Sequence, residues 1–525
     1  MKLKRFLSLA LSAAMVLTMA GCGGTGNEAG TDADSSQANE QESVGAEGED
    51  AGEETAAAGA IDFDEEPYLL HVCYPVAGEA QPDLPMIQEK LNEITLREIN
   101  AQVELEAVSL FSLANVYALK ASSQEKMDLM ILFPGYNYLT SFANSNMIMP
   151  VEEYLDAWGA DLKEGLEEQI VVGEFKGHQY AIPQNIAQKA NASGFAVSLD
   201  LCNKYDIDPD SIQTIEDLEA AFAVIKENEP DVTVIMSETA GGAIIPGLQE
   251  YYDGLGTGGG VLEEQADGSL KVVNQLEQES YMQACKKVRE WYEAGYISKD
   301  VLTAQDAGFV AQASGKCFAV VTNSIGPSAD YFYDTVVLKD SDPMVTTQSS
   351  QMVMWAVSAS CERPDKAIQF LNMCFGSKEV ANLMLYGVED VHYSILEDGA
   401  VDTSNNENWA NFWNLLGDWR NHYVKKDLLE ATPGAETVED YYRINSEWKT
   451  EYSPAYGFIF DPTNVKTEIA ACDAVNNEYQ LVIGNGTVDP ETELAKWCDK
   501  LYDAGLQKVL DEKQAQLDAW IEANK

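Results

Sequence analysis

Very little in this sequence can serve as a general base near neutral pH: it holds four histidines in 525 residues. It has no H-E-x-x-H and no G-x-S-x-G, so zinc-protease and α/β-hydrolase chemistry have no motif to rest on. No two cysteines form C-x-x-C, which removes zinc ribbons and thioredoxin-like redox sites. Cations are few: 33 Lys and Arg stand against 87 Asp and Glu, for a formal net charge of -54. Nucleic acid and anionic lipid surfaces are poor partners for such a chain. After the first 21 residues no stretch reaches the ~18–20 apolar residues of a membrane-spanning helix. The expectation is a binding protein with no enzyme activity, no cofactor and no metal. Carboxylates are so plentiful that a glycosidase pair is not excluded by count.

What is present begins with Lys2, Lys4 and Arg5, followed by an apolar run from Phe6 to Leu17 and by Met19-Ala20-Gly21-Cys22. This layout resembles a bacterial lipoprotein signal, with Met19 where leucine is usual. The resemblance implies a signal peptide over 1–21, cleavage before Cys22 and lipidation of its sulfur, with two acyl chains sufficient for stable anchoring. Residues 22–60 are rich in Gly, Ala, Ser, Glu and Asp without Lys or Arg. They predict a disordered acidic tether. The implied location is the outer face of the cytoplasmic membrane, lipid-anchored. The remaining cysteines sit mostly in apolar runs, where buried thiols are the default.

The length calls for two lobes. Tyr68–Tyr74 reads as a buried strand, with Ile87, Leu91, Ile94 and Ile99 at helical spacing after it. Ala101–Leu110 alternates like a strand, and Met127–Phe133 is a second buried one stopped by Pro134-Gly135. Strand and helix signals keep alternating, which predicts an α/β fold of mainly parallel sheets flanked by helices. Ligands of such sheets bind beyond the carboxyl ends of the strands, here the loop Phe133–Asn137. Thr214 with Asp217 predicts a capping box. Asp489-Pro490 predicts the start of one long closing helix. Gly254-Leu255-Gly256-Thr257-Gly258-Gly259 fits G-x-G-x-x-G, but a hairpin rather than a helix follows, so no dinucleotide site is read there.

Several stretches then resemble one family. Phe175-Lys176-Gly177-His178-Gln179-Tyr180-Ala181-Ile182-Pro183, Tyr205-Asp206-Ile207-Asp208-Pro209-Asp210-Ser211-Ile212 and Trp291-Tyr292-Glu293-Ala294-Gly295-Tyr296-Ile297 are similar to segments of extracellular sugar-type solute-binding proteins. Arg363–Asn372, Tyr386–Tyr393, Glu468–Cys472 and Gln514–Trp520 continue the similarity in the family's order, the last two in the closing domain of its lipoprotein branch. Asp390 stands where that family usually has glycine. The resemblance implies a periplasmic-binding-protein-like fold with a ligand cleft between lobes: 61–185 with 350–395 as lobe one, 186–349 with 396–525 as lobe two. It implies capture of a neutral carbohydrate, an oligosaccharide, for the permease subunits of an ABC importer, by a monomer. A peptide or cationic ligand is the alternative the acidic charge favours, and a carbohydrate-active enzyme a more remote one.

A sugar site needs flat rings for C–H faces and Asp, Asn or Gln for hydroxyls. The candidates are therefore Phe133, Tyr136 and Asn137, the crossing pair Gln184 and Asn185, Asp253, and Asp390, His392, Tyr393 and Trp413. Trp355 is the chosen stacking platform, since it lies where the chain returns to lobe one; its competing place is the core, as for any tryptophan.

Overall fold

The computed structural model describes residues 60–76, 81–110, 112–133, 135–186, 190–324, 333–337, 343–406, 408–409, 416–432, 434–448 and 450–524. The expected signal peptide, Cys22 and the expected tether up to residue 59 lie outside them, as does Trp413. Among the described residues no helix is long and apolar enough to cross a membrane.

Two sheets organise the chain. The first has the strand order Ala101–Ser109, Tyr68–Val76, Leu129–Leu132, Met354–Val357, Ala181–Pro183. Leu70, Val72, Cys73, Tyr74 and Val76 are all buried, the near-continuous run of a strand covered on both faces. At the edge, Ala101, Val103 and Leu105 are buried while Gln102 and Glu104 are exposed, so period-2 alternation survives there. The Tyr68 strand runs parallel to both neighbours. The Met354 strand is antiparallel to the Leu129 and Ala181 strands. It arrives through a crossing segment rather than a βαβ unit, so nothing forces the parallel direction.

The second sheet runs Glu451–Tyr452, Met344–Val345, Asn191–Ser198, Cys317–Ser324, Thr233–Ser237, with Tyr333–Val337 also on the Asn191 strand. Among the described residues only the Cys317–Thr233 and Met344–Glu451 pairings of this sheet are parallel. Both sheets are thus mixed, less parallel than the sequence alternation suggested, in an α/β fold that otherwise follows it.

Local signals explain many boundaries. Thr214 accepts from the Asp217 amide at 3.2 Å and Asp217 accepts from the Thr214 amide at 3.0 Å, the reciprocal box at the start of Ile215–Asn228. Asp489 caps Pro490–Asp503. The closing helix is broken, contrary to expectation: Gly505, at φ +105°, separates it from Leu506–Ala523. The Phe133–Asn137 loop is also corrected. A helix begins at Gly135 and runs to Asn144. Leu139, Phe142 and Ala143 are buried at helical spacing, a period that Pro134-Gly135 masked.

Each sheet has its own core. Trp409 and Leu416 pack in the first core. Cys472, Trp497 and Leu510 pack in the second. A third cluster joins Leu255, Phe458, Phe460, Val509 and Leu517.

Candidate functional site

A cavity of about 120 Å³ opens where four distant stretches meet. The helix Gly135–Asn144 supplies Thr140, Ser141 and Asn144. The glycine loop supplies Asp253, Leu255 and Thr257. The short helix Thr347–Ser350 and the residue after it supply Gln348 and Gln351. Phe458 and Phe460 form the remaining wall, with Lys466 exposed at the rim. Hydroxyls and amides beside two aromatic rings can read a polyol and cover an apolar face. Ligand pockets usually span about 300–1,000 Å³, so a whole oligosaccharide requires this one to widen.

The glycine loop is an architectural device. Leu255, Gly256, Gly258, Gly259 and Gly260 all have positive φ. A Cβ on Gly260 would lie 2.5 Å from Leu510, so only glycine lets the loop lie on the C-terminal helix. From that helix Lys513, fully buried, donates to Gly259 O at 2.7 Å and Gly254 O at 3.1 Å. Burial pulls its ammonium down to about 7, against the attraction of Asp253. Asp253 itself is 2 % exposed. Its Oδ1 accepts from the Leu255 amide at 2.8 Å, while its Oδ2 is buried with no hydrogen-bond partner. Burial raises its carboxyl, although the Ser453 hydroxyl, the Leu255 amide and Lys513 ease the charge.

At the cavity edge a polar cluster spans the two halves of its wall. Lys176 pairs with Asp461 Oδ2 at 2.8 Å and donates to Asn144 Oδ1 at 2.8 Å. Asn144 donates to Asp461 and to Thr463 at 3.3 and 3.4 Å. Burial pushes the Asp461 carboxyl up, yet the Lys176 and Thr463 donors hold it below its ordinary value. Gln516 fixes Asp461 from behind through both backbone groups, each at 2.9 Å.

The candidates read from the sequence do not gather in this cavity; of them, Asp253 lines it. Phe133 is buried in the first core. The side chains of Tyr136 and Asn137 lie outside the described residues, on a helix whose later turns reach the cavity. Trp355 is 1 % exposed, on a strand between Ile131 and Ile182. Its ring packs in the first core and does not line this cavity. Gln184 is buried with Oε1 unpartnered.

Asn185 is committed to structure. It donates to Gly165 O at 2.9 Å and to Asp418 at 3.1 Å, and accepts from Gln169 at 3.1 Å. His392 accepts from the Val388 amide at Nδ1 and meets Asp83 through Nε2 at 3.1 Å, so its proton sits on Nε2. Tyr393 packs among Tyr386 and Tyr423, and burial pushes its phenol up to about 12. Asp390 is exposed at φ +62°. A left-handed residue accounts for glycine being usual there, and Asp tolerates it.

Comparison with known proteins places this architecture. Residues 454–522 match a domain of unknown function, DUF3502. A carbohydrate ABC transporter substrate-binding protein of Streptococcus pneumoniae is 27% identical over 464 residues, 85% of this chain and 90% of that one. An N-glycan transport solute-binding protein (NgtS) of the same species superposes with a TM-score of 0.74 at 24% identity, covering 87% of this chain and 100% of that structure. The fold is that of an ABC-importer solute-binding protein. The substrate-binding protein FusA of S. pneumoniae, solved with kestose, has a TM-score of 0.58 at 15% identity, covering 87% of this chain and 100% of that one.

The DUF3502 stretch supplies Phe458, Phe460 and Lys466 to the cavity and Lys513 behind it. Sequence reading missed Asn144, Gln348, Gln351 and the two phenylalanines. The glycine run was the one available signal, set aside because it fits no dinucleotide site. Among the described residues no cluster of three or more metal-ligating side chains occurs.

Proposed function

We propose that this protein captures a neutral oligosaccharide outside the cell and delivers it to the permease of an ABC importer, without catalysis. The observation that carries the reading is the cavity between the Gly135–Asn144 helix and the C-terminal segment, lined mostly by hydroxyls and amides with Phe458 and Phe460, and with Asp253 and Lys466 as its charged members. Similar solved proteins are described as transporting N-glycans and as complexed with Man5GlcNAc and with kestose, which supports a carbohydrate. In this reading Asp253, Asn144, Gln348 and Gln351 contact hydroxyls. Tyr136, Asn137, Gln184 and Trp413 remain candidates; Asp390, His392 and Tyr393 form a separate group around Asp83 and Tyr386.

Two lobes move about the segments near Gln184 and Thr347. The buried places of Trp409 and Leu416 favour carrying lobe one on through that region, with lobe two resuming near Ser453. The protein works as a monomer held to the membrane through lipidated Cys22, with residues 22–60 as its tether. Cys22→Ala then releases it into the aqueous phase of a detergent partition with its melting temperature unchanged.

A thermal-shift screen against neutral oligosaccharides, peptides and polyamines tests the ligand class. Stabilisation by a glycan alone is the expected result. Stabilisation by peptides or polyamines with none by any glycan would refute it.

A further inference from the structure

We propose that Asp253 selects by charge, admitting neutral glycans to this cavity and rejecting those that carry a carboxylate. The inference rests on the carbohydrate reading above and goes beyond it to a specificity-determining residue. Three observations carry it. Asp253 is 98 % shielded from solvent yet lines the cavity, and Oδ2 makes no hydrogen bond, with the Ser453 hydroxyl the nearby group that eases the carboxylate's charge. A buried acceptor left open costs stability, and a ligand hydroxyl satisfies it. Second, the carboxylate cannot swing away, because Oδ1 holds the Leu255 amide and the loop that carries it is clamped on both sides by Lys513. Third, the other polar groups of the wall are uncharged hydroxyls and amides, apart from the exposed Lys466. The cations nearby do not offer a carboxylate a seat. Lys513 is fully buried and occupied by two carbonyls, and Lys466 is exposed at the rim, where water screens it.

A glycan hydroxyl meeting Oδ2 gains a charge-assisted hydrogen bond. A uronate oxygen in the same place meets a second negative charge in a poorly solvated wall, where like charges repel strongly. The C-terminal stretch that matches a domain of unknown function thereby acquires a role: its helix Leu506–Ala523 holds the selecting loop in position.

The test presents the full chain with a pool of neutral N-glycans, fructans and milk oligosaccharides, and with the same pool after its primary hydroxyls are oxidised to carboxylates. Bound glycans are identified by native mass spectrometry, with melting temperature as the check on folding. Asp253→Asn keeps an oxygen for the Leu255 amide and removes the charge. Wild type should favour neutral over oxidised partners by on the order of 100-fold, and Asp253→Asn should shrink that ratio to below about tenfold. Equal capture of both pools by wild type overturns the inference, as does undiminished selectivity in the folded variant. Capture of neither pool by wild type instead overturns the carbohydrate reading, and this inference with it.

Discussion

Trp355→Ala separates a core tryptophan from a ligand platform in a single variant. The ring is 1 % exposed and belongs to the first core, on a strand hydrogen-bonded on both sides. A buried tryptophan hides roughly 150–250 Å². At about 25 cal/mol per Å² that is about 4–6 kcal/mol, before subtracting what alanine retains. Large-to-small changes of this kind cost about 3–5 kcal/mol, the cavity included. For a cooperative unit of 150–250 residues each kcal/mol lowers the melting temperature by about 2–4 °C. The variant should therefore melt on the order of 10 °C lower. At a temperature where it is folded, calorimetry should find its glycan affinity within about threefold of wild type. An unchanged melting temperature with a loss of affinity beyond roughly tenfold would refute the core assignment.

Glu238 is buried, and burial alone pushes its carboxyl up to about 8 from 4.5. Between those values the folded state keeps a proton the unfolded chain has released, so its contribution is full below the ordinary carboxyl range and is lost as pH rises through 8. Glu238→Gln should flatten the fall in urea midpoint between about pH 5 and 8; an unaltered pH profile counts against this. Lys176→Ala removes a surface-exposed ion pair worth about 0–1 kcal/mol, so melting should barely move. The cluster at the cavity edge is broken, however, and small-angle scattering of the ligand-free protein should show a larger radius of gyration; an identical radius rules out a closing role. Gly260→Ala places a Cβ 2.5 Å from Leu510 at φ +79°. It should destabilise by more than about 1 kcal/mol, read by denaturant melts, and a neutral result would mean the loop can lift off the helix.

The fold was legible where signals are local. The hydrophobic run Tyr68–Tyr74, the Thr214 box and the Asp489 cap each depend on neighbours in sequence; the strand extends two residues further, to Val76, and the box and the cap stand where expected. Gly505 breaks the final helix because a single αL residue outweighs a helical period on both sides. The site was far less legible. Asp253 emerged from its place before a glycine loop, but Asn144 and Phe460 meet only through the tertiary fold. Trp355 shows the reason: strand position told where the chain crosses, while which face of the strand meets ligand depends on what packs against it. Gln514 and Gln516, chosen only as part of a resemblance, turn out to serve different partners, the hairpin strand Leu270–Val273 and Asp461.

The buried Lys513 joins its helix to carbonyls 254 and 259 positions earlier in the chain. Closing such long loops is entropically costly and slow. Because synthesis proceeds from the N-terminus, the Gly254–Gly260 turn leaves the ribosome long before the helix that seats it. Until that helix arrives the turn has no ammonium to gather its carbonyls and no Phe458 or Phe460 to face. A chain halted before residue 454 could pair many of its strands and would still lack a wall of the cavity. Ligand competence therefore waits on the helix Leu506–Ala523, and sugar binding doubles as a report that this helix has been made and seated.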